Sequence, residues 1–244
     1  MLVVICTACI VRADEPKDVP LPDGYAWGKV TFEERAEDGI SKQWLSVSKG
    51  IEVVPEDNAK PDGNKVLRLP EGKLALTGPP VASGNWRWAD EHREAVRAWS
   101  DYELSFRFKP GRQVRARRGG LLCVTWRVHP LEDSPGEKQL LYILSGRLRG
   151  PLVGWFGVHE RFDKKEAAAE PDWDNKPRWH HVRIRVVGTR LWLIWNGTLV
   201  FQGTDDRIPA GGFAIQSIFG KKADPGHIDL DDIVVRSIVP EDKK

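Results

Sequence analysis

Strict alternation over a short run limits what this chain can fold into more than any other feature. Tyr102, Leu104, Phe106 and Phe108 are apolar or aromatic, and Glu103, Ser105, Arg107 and Lys109 stand between them. A period of two sends successive side chains to opposite faces of a strand. Pro110-Gly111 then stops the run, because proline offers no N–H for a ladder. The pattern recurs along the chain. Trp27–Phe32, Ile51–Val54, Lys65–Leu69, Leu121–Val128, Gln139–Leu144, Leu152–His159, His181–Val187, Gly212–Ile218 and Ile228–Ile238 all read as strands. Leu191–Trp195 and Thr198–Phe201 flank Asn196-Gly197, the pair that suits a two-residue type I′ hairpin, whose central positions both need positive φ. The sum is roughly eleven to thirteen strands. The only short helical stretch is Asp163–Glu170. Many short strands without alternating helices mean an all-β sandwich or barrel, and antiparallel hairpins joined by loops favour a two-sheet jelly roll.

Composition narrows the function classes. The chain has 244 residues, long enough to bury a large core in one domain. Lys and Arg total 37 against 35 Asp and Glu, a balance that argues against a dedicated nucleic-acid binder. Eleven tryptophans against three tyrosines suit a β-rich core with an aromatic binding face.

The ends carry address signals rather than fold. Leu2–Val11 is an apolar run too short for a membrane-spanning helix, which needs about 20 residues. Val11-Arg12-Ala13 follows with small or apolar residues at the positions a signal peptidase reads, although no Lys or Arg precedes the run. The expectation is a signal peptide over 1–13, export to the periplasm or outside the cell, and no membrane partner after cleavage. A Pro-rich lead-in over 14–25, a sandwich over 26–239 and a charged tail over 240–244 follow. Of three cysteines, Cys6 and Cys9 fall in the leader, so Cys123 would remain alone, most simply as a small buried side chain.

The C-terminal half resembles a known superfamily. Trp179-His180-His181-Val182-Arg183-Ile184, Val187-Gly188 and Leu191–Gly197 resemble the W-H-x-V-x-I-x-V-x-G … W-x-N-G signature of concanavalin A-like lectin/glucanase domains. Gly211–Gln216 resembles their G-x-I-x-L-Q strand, and Ile228–Val235 their closing strand. Within that superfamily the chain is most similar to the 3-keto-disaccharide hydrolase domain family. The resemblance implies a concanavalin A-like jelly roll and a hydrolase acting on 3-keto-glycosides. Two departures stand out. That family usually carries Asn-Ser-Gly before an apolar strand ending in Arg, whereas here Arg118-Gly119-Gly120 precedes Leu121–Arg127. Its next strand usually holds Tyr-Glu-x-Gln, whereas here Tyr142 is followed by Ile143-Leu144-Ser145.

Candidate site residues follow from chemistry and position. The glucanase motif E-x-D-x-x-E, which supplies paired carboxylates about 5 Å apart, is absent, and Asp229-Leu230-Asp231-Asp232 reads as part of the closing strand. His180 and His181 are adjacent, so on a strand they point to opposite faces and cannot share one ion. No cofactor is evident, although calcium or another divalent metal held by loop carboxylates stays open. On Leu121–His129, Leu122, Val124, Trp126 and Val128 form one side and Cys123, Thr125, Arg127 and His129 the other. If that second side lines a concave sheet, Arg127 can bind a sugar hydroxyl or stabilise an enolate. A solvated arginine at a sheet edge is the plainer alternative. A C3 ketone acidifies the C2 proton, so a base there permits elimination across C1–C2, after which water adds back. His129 or His159 is the candidate base, with Tyr142 as a supporting donor. Trp86, Trp88, Trp155 and Trp173 are candidates for stacking on sugar rings, unless they plug the ends of the sandwich. The partner expected is therefore carbohydrate. The competing reading is a glycan-binding module or surface domain without catalysis, since fold alone cannot decide.

Overall fold

A computed structural model describes residues 19–44, 46–47, 50–56, 63–70, 74–77, 99–110, 121–129, 138–145, 152–156, 178–204, 210–218 and 227–242. Among these, the chain forms strands β1 (Tyr25–Glu34), β2 (Ser46–Val47), β3 (Glu52–Pro55), β4 (Lys65–Pro70), β5 (Leu74–Thr77), β6 (Tyr102–Pro110), β7 (Leu121–His129), β8 (Lys138–Ser145), β9 (Leu152–Phe156), β10 (His180–Val187), β11 (Arg190–Trp195), β12 (Thr198–Thr204), β13 (Gly212–Ile218) and β14 (His227–Pro240). One 3₁₀ turn, Ala36–Asp38, follows β1. The expected helix at Asp163–Glu170 lies outside the described residues.

The strands make two antiparallel sheets. One has eight strands, ordered β12-β11-β10-β6-β14-β4-β3, with β1 also paired to β14. The other has six, ordered β2-β5-β13-β7-β8-β9. Every strand expected from the sequence is present, and β2 and β5 are additional. Both are too short to show an alternation.

Between the sheets lies one apolar core. Leu104, Phe106, Val182, Ile184, Leu230 and Val235 enter it from the eight-stranded sheet, and Val124, Phe213 and Ile215 from the six-stranded one. Each such side chain contributes about 1.5–3 kcal/mol on leaving water. Phe213 joins the two halves: its ring meets Phe32 and Trp44 edge-on, with centroids 5.5 and 5.6 Å away, and stacks on Trp99 at 6.3 Å. His180 belongs to this inner face too, stacked on Phe108 at 5.2 Å.

β14 is the organising strand. It pairs with β6 along one side, while on the other it pairs with β4 over 227–230 and then with β1 over 233–240. The exchange happens at a bulge, where Asp232 adopts φ +50°. Aspartate tolerates that left-handed conformation better than most residues. The Asn196-Gly197 turn of the β11–β12 hairpin has φ +46° and +80°, as a type I′ turn demands. Gly28 is set by a close approach, because a Cβ there would lie 2.3 Å from Ser237 Oγ.

Candidate functional site

Strand β7 lies inside the six-stranded sheet, between β13 and β8. Val124 pairs with Ile215 on one side and with Tyr142 on the other, and Val124 and Ile215 are both fully buried in the core. Alternate positions therefore fall on the face turned away from the eight-stranded sheet. That outer face takes position 123, in register with 216 and 143, and position 125, in register with 214 and 141.

The ladder breaks at the end of this strand. Trp126 pairs with Phe213 and Val128 with Gly212, so β7 spends two steps where β13 spends one. Against β8, Trp126 pairs with Leu140 and His129 with Lys138, again one residue more on β7. Arg127 thus sits in a β-bulge recorded by both neighbouring strands. A bulge bends its strand and re-aims a side chain, and such irregularities are frequent beside active sites.

Of the other residues singled out in the sequence, Tyr142 is in β8 opposite Val124 and Val153, and Trp155 is in β9 opposite Leu140. Their rows run to Ile215 and Phe213, so positions 142 and 155 share the core-facing side of the sheet, not the side of 123 and 125. Arg127 and His129 end the same strand, but the bulge breaks the expected alternation: His129 pairs with Lys138, whose row alternates with that of 139 and 141, so position 129 does not continue the face of 123 and 125. His159, Trp86, Trp88 and Trp173 lie outside the described residues.

A second polar constellation was not read from the sequence. It lies on the outer face of the eight-stranded sheet. Asp229 is fully buried and accepts from Arg68 Nε at 2.8 Å and Nη2 at 2.9 Å. Asp231 accepts from Arg107 Nη2 at 2.5 Å and Asn64 Nδ2 at 2.9 Å, and Arg107 Nε reaches Asp232 at 2.7 Å. From the β3–β4 hairpin, Glu56 accepts from Trp179 Nε1 at 2.5 Å and lies 3.6 Å from Lys109 Nζ. The cationic groups of Arg107 and Lys109 sit 5.0 and 5.2 Å from the centre of the Trp179 ring. Burial alone would raise the Glu56 carboxyl, but the Trp179 and Asn64 hydrogen bonds and the Lys109 charge outweigh it and hold it below the usual carboxylate range. Nearby, burial together with the charges of Arg183 and Arg107 depresses the His181 imidazole.

Each of these carboxylates is engaged by a cation or an N–H of the protein, so the set works as a clamp from β3 across β14 and β6 to the start of β10. Asp229 and Asp231 are held by separate arginines. The pattern was hidden because Arg107 and Lys109 answer Asp231 and Asp229 only once β6 and β14 are in register. Among the described residues, no group of three or more His, Cys, Asp and Glu is placed to hold a metal ion.

No protein-family model and no curated protein matches the chain. Solved structures match its fold. A Bacillus subtilis protein of unknown function with a galectin-like fold superposes with a TM-score of 0.59 at 13% identity, covering 89% of this chain and 100% of its own. The carbohydrate esterase of the Shiga toxin-encoding bacteriophage phi24B gives 0.53 at 16% identity, covering 86% and 99%. The fold is a two-sheet antiparallel β-sandwich of galectin-like architecture. At such identities the likeness is one of architecture, and architecture does not fix chemistry.

Proposed function

We propose that this chain is an exported, carbohydrate-active sandwich whose site lies at the end of β7, around the bulge that carries Arg127 and ahead of His129. The observation that carries the reading is the bulge at Arg127. It interrupts an interior strand of the six-stranded sheet where the sequence sets a cation two residues from an imidazole. The phage protein of similar fold, described as a carbohydrate esterase, supports a carbohydrate-related role. Export rests on Leu2–Val11 and the Val11-Arg12-Ala13 sequence after it.

The reaction proposed is hydrolysis of 3-keto-glycosides. His129, or His159, takes the acidified C2 proton as general base, and the guanidinium of Arg127 faces the enolate oxygen. The C1–O bond breaks as the electron pair moves into C1–C2, and water then adds to the enone. Position 142 falls on Val124's face of the sheet, so the proposal rests on β7 rather than on Tyr142.

Nitrophenyl 3-keto-glucoside offered beside the ordinary glucoside tests it. Nitrophenol release from the keto sugar alone is expected. Arg127→Ala is expected to lower kcat/KM by about 10²–10³, the usual loss when an oxyanion donor is removed. Absence of release at high enzyme concentration overturns the hydrolase reading.

A binding module without catalysis is the second reading. The Arg118-Gly119-Gly120 and Ile143-Leu144-Ser145 departures favour it. Saturable quenching of tryptophan fluorescence by glycans, with no turnover, identifies that case.

A further inference from the structure

We infer that the outer face of the eight-stranded sheet carries a binding site for an extended, proline-containing peptide, and that the chain's own residues 19–24 occupy it as a strap. The site is built on Arg185 of β10. Its side chain is 1% exposed, yet it lies on the face opposite the core, in register with Glu103 of β6 and Trp192 of β11. Glu103 Oε2 accepts from Arg185 Nε at 2.9 Å and orients the guanidinium. The rest of the fork reaches main chain: Nη1 donates to the carbonyl of Pro20 at 2.6 Å, and Nη2, itself 2.8 Å from Glu103 Oε2, donates to that of Val19 at 3.0 Å. Trp27 of β1 supplies the wall. The Arg185 guanidinium lies 5.3 Å from its ring centre, and that of Arg236 lies 5.6 Å away.

The chemistry of the occupant suits this site. A residue before proline is driven out of the helical region into an extended conformation, so Val19 is preset for docking. Extended, proline-rich backbone makes no internal hydrogen bonds, which leaves successive carbonyls free to accept. Proline has no N–H, so Pro20 meets the guanidinium only as an acceptor, through its carbonyl. A planar, permanently charged fork can satisfy two neighbouring carbonyls at once, which the point charge of lysine cannot do. Aromatic walls and carbonyl-directed donors are what proline-rich segments meet in their receptors. At its C-terminal end the strap is pinned by its own turn, Tyr25 N–H donating to Pro22 O at 3.2 Å, and by Glu241 N–H donating to Gly24 O at 2.9 Å.

Residues 19–24 belong to the stretch that composition alone reads as a linker. In the folded chain they cover a buried ion pair. Loss of the strap would open Arg185 and its partner Glu103 to water. A leader cut after Ala13 keeps the strap whole; a cut beyond Pro20 removes it.

An endopeptidase that cleaves before aspartate tests this on the full chain, by following the Pro22–Asp23 bond with mass spectrometry. In the wild-type protein that bond is expected to be cut far more slowly than in a free peptide spanning residues 14–28. Arg185→Lys keeps the charge beside Glu103 but loses the fork. It is expected to speed this cut by about tenfold or more, as loss of hydrogen bonds to a charged group raises the open population. Cutting before Asp101 and Asp229, which needs the body of the sandwich to open, is expected to stay unchanged. A wild-type rate equal to that of the free peptide overturns the strap, and that comparison needs no variant to fold. Equal rates in wild type and Arg185→Lys overturn the role of the guanidinium.

Discussion

Glu34 shows how far one side chain's surroundings can reset its chemistry. It ends β1, is 2% exposed, and accepts from Trp44 Nε1 at 2.5 Å and from Ser41 N–H at 2.8 Å. Burial pushes its carboxyl above the ordinary 4.5, and the two hydrogen bonds offset that only in part. A carboxyl whose pKa is raised by folding takes up its proton more readily in the folded chain. Its contribution to stability is whole below the unfolded pKa and is lost as pH rises through the folded one. Glu34→Gln keeps an acceptor for the indole and never ionises. Its stability relative to wild type is therefore expected to improve between pH 4 and pH 7, as read from urea midpoints at both. Glu34→Ala leaves the buried Trp44 N–H without its acceptor and is expected to cost about 1–3 kcal/mol at either pH. A Gln variant whose deficit grows as pH rises would contradict the sign.

Elements were legible in the sequence where they alternated or carried a turn signal. The β11–β12 hairpin is the best instance. Asn196-Gly197 specified it from two letters, and Asn196 does more than turn: its Oδ1 accepts from His181 N–H at 2.8 Å, and its own N–H donates to His181 O at 2.8 Å. Asn196→Ala loses the side-chain bond and forces a Cβ without a polar tip into φ +46°. A cost of about 1–2 kcal/mol is expected. Asn196→Gly, which relaxes the φ while losing the same bond, is expected to cost less, and thermal melts of the two variants make the comparison. What could not be read is whatever depends on pairing. Nothing in Leu121–His129 announces a bulge at Arg127, because the extra residue exists only relative to β13 and β8. The alternation of β7 alone sets Arg127 beside Thr125, and the bulge breaks that inference at the residue on which the proposed chemistry depends. The exchange of β4 for β1 along β14 is likewise invisible in IDLDDIVV, although Asp232 at positive φ makes it possible.

At the scale of the molecule, the two sheets stand or fall on shared packing, and Phe213 is where that dependence concentrates. It belongs to the six-stranded sheet, yet its ring touches Phe32 of β1 in the other sheet, with Trp44 and Trp99 closing the cluster. The aromatic surplus visible in the composition is thus spent partly on joining layers, which weakens any argument from tryptophan count to sugar stacking. Phe213→Ala opens a cavity among rings that are held by both sheets and cannot collapse freely. A loss of about 3–5 kcal/mol is expected. For a domain of this size that corresponds to a fall in Tm of roughly 6–20 °C. Because each sheet's inner face is covered by the other, neither should persist alone. Far-UV circular dichroism and tryptophan fluorescence are expected to report one coincident transition in wild type and variant alike. If fluorescence moves first while the strand signal survives, one sheet holds without the other, and the single core argued from Phe213 is wrong.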